Sequence, residues 1–258
     1  MREGMNRMLA GLVVVGLGLA VGGRMGASQG AVAVKRQPYT AEYKMTLVRT
    51  LANGATITHV TKLVRAMDSQ GRTVRIGTGI GADGTPNEDS TLVQMQDPVA
   101  GTSGVWMGWN KSGRITKLPP RDEQHGCCAD ADGNIEMNYE PSNRPPVGQP
   151  PYTKPVTADL GTETIMGLEA RGRRITTTIP TGGVGNDRPL VRTDEDWTAT
   201  TLGLRLRYSL SDPQMGKETM DLVNLNLSEP DPMLFQPPAN YKIVTVELHQ
   251  VTCPAPAQ

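Results

Sequence analysis

The chain of 258 residues is poor in aromatic side chains, 4% in all with a single Phe. Its core must therefore be built mainly from Leu, Val and Met. It also lacks net charge, with 26 Lys+Arg against 26 Asp+Glu. That excludes a dedicated nucleic-acid binder, which is expected to be basic, and an acidic disordered tail. Three cysteines are too few for a small protein stapled by disulfides. No segment sustains a long 3.6-residue apolar period, so helices should be few and short. No G-x-S-x-G elbow, H-E-x-x-H pair or P-loop is present. We therefore read the chain as non-enzymatic, with no cofactor and no metal.

In excess are Gly (29) and Pro (20), both of which oppose helix propagation. They point to a β-rich chain broken by turns.

The first residues read as an address. Arg2 and Arg7 precede an apolar run from Leu9 to Val21, followed by small residues. A spanning helix needs about 20 apolar residues, whereas a shorter core with a basic start suits a secretory signal. We expect residues 1–33 to be a signal peptide cleaved after Ala31-Val32-Ala33, with Ala27 as the alternative position. Residues 34–258 then form a single β-rich domain that does not span the membrane, located in the periplasm or secreted. They retain 23 Lys+Arg against 25 Asp+Glu, a slightly acidic balance.

From Tyr39 to Thr50 the chain alternates, with Tyr39, Ala41, Tyr43, Met45 and Leu47 on one face. A period of two marks a half-buried strand. Asn53-Gly54 predicts a type I′ hairpin turn, and Thr56 to Ala66 the returning strand. Residues 77–90 read as a loop. Trp106 and Trp109, three apart, should face opposite sides of a strand. Residues 119–157 hold eight prolines and read as one loop insertion. Beyond it, Leu202, Leu204, Leu206, Tyr208 and Leu210 alternate with Gly203, Arg205, Arg207 and Ser209. Val223, Leu225 and Leu227 share a face of the next strand, Asp231 to Phe235 forms one helical turn, and Tyr241 to Val251 is the last strand. Hairpin-sized strands in succession imply an antiparallel meander, which must curl or close to limit its edges.

Few residues carry chemistry. His59, His125 and His249 are far apart in sequence. Cys127 and Cys128 are adjacent, unlike zinc ligands, which are spaced by two to four residues. In an oxidising compartment Cys127 or Cys128 is expected to bond Cys253. Asp130 to Asn134 starts like a calcium loop, but Ile135 and Pro141 stand where such a loop requires Gly and Glu. An acidic turn is the simpler reading. Arg171, Arg173, Arg174, Arg205 and Arg207 read as a solvated sheet face opposite acids.

Three segments carry a family resemblance: Asp212-Pro213-Gln214-Met215-Gly216, Met220 to Leu225, and Asp231-Pro232-Met233-Leu234-Phe235 through Tyr241. They resemble the closing part of the LolA/LolB-like periplasmic lipoprotein carriers. Glu163 to Gly167 and Arg173 to Thr177 resemble the middle hairpin of such proteins, so the likeness covers residues 159–250. The resemblance implies a mainly β fold, a strongly curved antiparallel sheet forming an incomplete barrel, whose concave side holds acyl chains. The carriers start with a helix and line their cavity with aromatics. This chain starts its mature part with a strand and has one Phe.

The expected function is binding of a lipid or lipoprotein acyl chain, with Trp197, Leu202, Leu204, Leu206, Tyr208, Val223 and Leu225 as candidate lining. The alternative is a structural module that meets an envelope protein through the Pro-rich insertion or a sheet edge.

Overall fold

The computed structural model describes residues 37–120, 127–131, 135–138 and 153–251. All lie within one unit, Lys35–Gln258. The signal segment, His125, Cys253 and most of the Pro-rich insertion lie outside the described residues.

The strands are β1 (Tyr39–Thr50), β2 (Thr56–Met67), β3 (Thr73–Ile80), β4 (Pro86–Asp97), β5 (Thr102–Met107), β6 (Ser112–Lys117), β7 (Cys127–Ala129) and β8 (Ile135–Asn138). They continue as β9 (Val156–Ile165), β10 (Leu168–Ile179), β11 (Leu190–Ala199), β12 (Arg205–Asp212), β13 (Gly216–Asn226), β14 (Lys242–Glu247) and β15 (His249–Val251). A 3-10 turn, Pro232–Phe235, precedes β14. Twelve strands form one sheet in the order β14-β6-β5-β4-β3-β2-β1-β13-β12-β11-β10-β9. The sheet is curved and does not close into a barrel. Its pairings are antiparallel except for β14, which returns parallel to β6.

The turns follow a recurrent local rule. In residues 51–55, 68–72, 81–85 and 182–186, the first N–H donates to the fifth carbonyl and the fourth N–H to the first carbonyl. The fourth residue is Gly54, Gly71, Gly84 or Gly185, each with φ between 81° and 85°. This is a type I turn closed by a left-handed Gly, the usual longer hairpin loop. The type I′ expectation at Asn53-Gly54 is thereby corrected: Gly54 takes positive φ and Asn53 does not. The Asn53 Oδ1 instead accepts the Ala55 N–H at 3.0 Å, a local turn that keeps Asn53 right-handed. Met166 and Gly167, at φ 53° and 77°, make the two-residue turn between β9 and β10.

Other expectations shift for similar reasons. Residues 77–90 belong largely to the β3–β4 hairpin. Leu202 and Leu204 precede β12, because Gly203 at φ 62° turns the chain and the Leu204 carbonyl accepts the Ala199 N–H. The expected last strand divides at buried Leu248 into β14 and β15. Within the insertion, β7 and β8 pair with each other, and β15 joins β7 in a second, three-stranded sheet.

The core lies on both faces of the large sheet. One cluster gathers Ala41, Tyr43, Leu63, Met220, Leu222, Leu206 and neighbours. The other gathers Ala66, Val74, Val93, Met95, Trp106 and Phe235. Leu63 and Ala66 lie three apart on β2, hence on opposite faces, and both are almost wholly buried. The buried face therefore changes side at β2.

Both buried or half-buried tryptophans rest on glycines. Trp106 stands directly opposite Gly113, and Trp197 opposite Gly172. A Cβ at Gly113 would fall 2.7 Å from the Val105 carbonyl oxygen and 2.5 Å from the Trp106 Cβ. Cross-strand packing of an aromatic on a glycine pins the register. Trp106 is core and Trp109 is exposed, but the two do not face opposite sides of one strand as expected: β5 ends at Met107 and Trp109 lies in the turn that follows. Gly113→Ala must displace backbone, so it should destabilise the fold by about 1–3 kcal/mol. Urea unfolding measures this, and a change below about 0.5 kcal/mol, typical of a neutral surface substitution, would contradict the packing described.

Candidate functional site

The change of buried face leaves part of the sheet uncovered. Ladder register carries the face of Tyr43 and Leu63 onto β3–β5 as a row of partners: Gly77, Leu92 and Met107. A second row on this face runs Ala41, Arg65, Arg75, Gln94, Val105. On β4 the two faces contrast within one peptide step: Val93 is 6% exposed and Leu92 is 38% exposed. Val105, at 39%, is open beside fully packed Trp106. Leu92 and Val105 are thus apolar residues on an uncovered surface.

Gly77 makes a trough between Leu63 and Leu92. Its backbone does not require glycine, and a Cβ there would meet only the Thr61 methyl, at 3.9 Å. Beside the trough, Tyr39, Arg65, Arg75, Gln94, Gln96 and Ser103 line a cleft of about 380 Å³. This lies within the usual range for a small-ligand site, about 300–1,000 Å³. The Arg65 guanidinium stacks over the Tyr43 ring at 5.6 Å from its centroid. Burial pushes the Arg65 pKa down, and the positive charges of Arg75 and Arg205 push the same way.

The residues expected to line a ligand site are placed elsewhere. Leu204 and Leu206 are buried in the first core cluster, and Trp197, Leu202, Tyr208 and Leu225 pack half-buried against it. Val223 is apart from them, 51% exposed at a register shift between β1 and β13. Four of the five arginines in the basic cluster meet acids: Arg171 meets Asp159, Arg174 meets Glu195, Arg205 meets Asp196 and Arg207 meets Glu163, while Arg173 forms no ion pair among the described residues. Arg171, Arg173, Asp159 and Asp196 line a second cleft of about 410 Å³ on β9–β11.

No family model matches the chain, and no curated protein matches it. Several solved structures are similar. One is the Pseudomonas aeruginosa MucA/MucB complex, at 17% identity over 83% of this chain, with TM-score 0.40. This chain covers 60% of the matched chain there. An uncharacterised conserved protein of Thermus thermophilus matches at 8% identity over 83% of this chain and 92% of its own, with TM-score 0.36. A LolA superfamily protein of Nitrosomonas europaea matches at 11% identity over 79% of this chain and 93% of its own, with TM-score 0.30.

Conventional catalytic groups do not converge among the described residues. His59 and His249 are exposed on β2 and β15, strands of different sheets. Among the described residues no group of three or more His, Cys, Asp or Glu is arranged to hold a metal. Cys128 is a buried free thiol whose pKa burial raises. The Cys127 side chain and Cys253 lie outside the described residues. No helix among the described residues is long and apolar enough to cross a membrane, which says nothing of a β-barrel.

The packed phenols are the strongest titration signal. Burial pushes Tyr43 up to about 12. Tyr208 is also pushed up to about 12, first by burial and then by its 2.9 Å hydrogen bond to the Asp194 carboxylate. A pKa raised above its unfolded value of 10 holds the proton more tightly in the folded state. The resulting stability is present below pH 10 and is lost as pH rises toward 12. Burial raises Tyr39 as well. An alkaline absorbance titration should show Tyr43 and Tyr208 ionising well above pH 10, with loss of structure accompanying them. Ionisation of both near pH 10 with the fold intact would contradict this packing.

Proposed function

We propose that this chain is a non-enzymatic envelope protein, periplasmic or secreted, that binds one acyl chain of a lipid or lipoprotein on the open face of β3–β5. The observation that carries this reading is the trough over Gly77, bounded by Leu63 and open Leu92 and continued by Met107 and Val105. A monomer seldom leaves aligned apolar residues uncovered without a use for them. Each methylene laid against this surface contributes about 0.8 kcal/mol when fully removed from water. The reaction chemistry required is nil: the sheet supplies shape and apolar surface, and the chain is released unchanged.

Purified protein should release a co-purifying lipid on solvent extraction and take up a fluorescent fatty acid. Gly77→Phe fills the trough without the backbone strain of a left-handed position or a steric overlap at Cβ. It should lower uptake at least tenfold and leave the melting temperature within a few degrees of the parent. Undiminished uptake by a folded Gly77→Phe variant would exclude the trough. No uptake by the parent would exclude acyl binding itself.

A further inference from the structure

The cleft beside the trough holds two arginines that no carboxylate among the described residues pairs with. On the β9–β13 half, four arginines each meet a carboxylate. Arg65 and Arg75 are treated differently. They stand directly opposite each other on β2 and β3, an arrangement that destabilises a sheet when both members carry the same sign. Among the described residues no carboxylate pairs with either, and none lines the cleft. The other polar groups there are the Gln94 and Gln96 amides and the Tyr39, Thr73 and Ser103 hydroxyls, all able to donate hydrogen bonds. Two guanidiniums, two amides and three hydroxyls without an acid make a donor set suited to an oxyanion.

Resting on the acyl-binding reading above, we propose that Arg65 and Arg75 hold the phosphate headgroup of the same amphiphile whose chain lies over Gly77. Arg75 lies opposite Gln94, one row from the Gly77–Leu92 pair, on the same face. Headgroup and chain therefore occupy adjacent rows of one surface. An anion between the two guanidiniums relieves their mutual repulsion and replaces the partners that the fold omits. Stacking on Tyr43 holds Arg65 in place before any ligand arrives. The site thus selects by charge at one end and by shape at the other.

The test uses the full chain with dihexanoyl phosphatidylglycerol and dihexanoylglycerol, both below the concentration at which they aggregate. These lipids share acyl chains, and only the first carries a phosphate. Calorimetry should show the anionic lipid bound about tenfold more tightly, the factor that one net charge-assisted contact supplies. Arg75→Gln, at an exposed position, should erase that preference and leave dihexanoylglycerol binding and the melting temperature unchanged. Arg65→Gln should act in the same direction. Arg188→Gln, the same charge change in a distant loop, should leave the preference intact. Equal binding of both lipids by the parent overturns the headgroup site while leaving chain binding in place. A preference that survives Arg75→Gln also overturns it. Glycerol phosphate bound as tightly as phosphatidylglycerol overturns the lipid headgroup in favour of a free phosphate. If neither lipid binds, chain binding fails, and the headgroup assignment fails with it.

Discussion

The structure depends on the way β2 is buried. Leu63 and Ala66 are three residues apart on one strand, so they project from opposite faces, and each is sealed in a different core. On one side of β2 the sheet packs through Tyr43, Leu222 and Leu206. On the other it packs through Val74, Val93 and Trp106, covered by Phe235. A sheet of twelve strands cannot bury one whole face with so few aromatics and, among the described residues, no long helix to lay across it. Using one face for each half solves that shortage. Its consequence is that each half leaves the other half's buried side open.

The covered half is secured by the C-terminal segment. Phe235 sits at the end of a 3-10 turn capped by Asp231, whose carboxylate accepts the Met233 N–H at 2.9 Å. Arg72 stacks over the Phe235 ring at 4.9 Å and is itself tied by its Nε to buried Asp68 at 2.6 Å. The same Asp68 accepts the Gln70 and Arg72 N–H groups, closing the β2–β3 turn. One buried carboxylate thus joins a hairpin to the lid of the second core. The single Phe is thus used on the face of Val74, Val93 and Trp106.

Much of this was legible in the sequence. Alternation at Tyr39–Leu47 and Gly-bearing turns gave strands where strands occur, whereas the strand expected to carry both Trp106 and Trp109 ends at Met107. The pairing of Arg171, Arg174, Arg205 and Arg207 with acids followed from the ordinary behaviour of a solvated face. The candidate site was less accessible. A period of two says that Leu63, Arg65 and Met67 share a face, but not which face a distant segment will cover. Leu202, Leu204 and Leu206 form the most evident apolar stripe, and for that reason the fold packs them. Leu92 and Val105 carried a weaker signal: in each case the apolar neighbour in sequence, Val93 or Trp106, occupies the core. The short strands β7 and β8 were hidden because β15, which pairs with β7 and completes their sheet, lies more than a hundred residues away in the chain.

The central claim is that the open side of β3–β5, and not the Leu204–Leu206 cluster, receives an acyl chain. Crosslinking with a photoactivatable fatty acid, followed by peptide mass mapping, tests it most directly. Adducts should concentrate on Leu92, Val105 and Met107 and be displaced by unlabelled fatty acid. Displaceable adducts on Leu202, Leu204, Leu206 or Tyr208, with none on β4 or β5, would contradict the account.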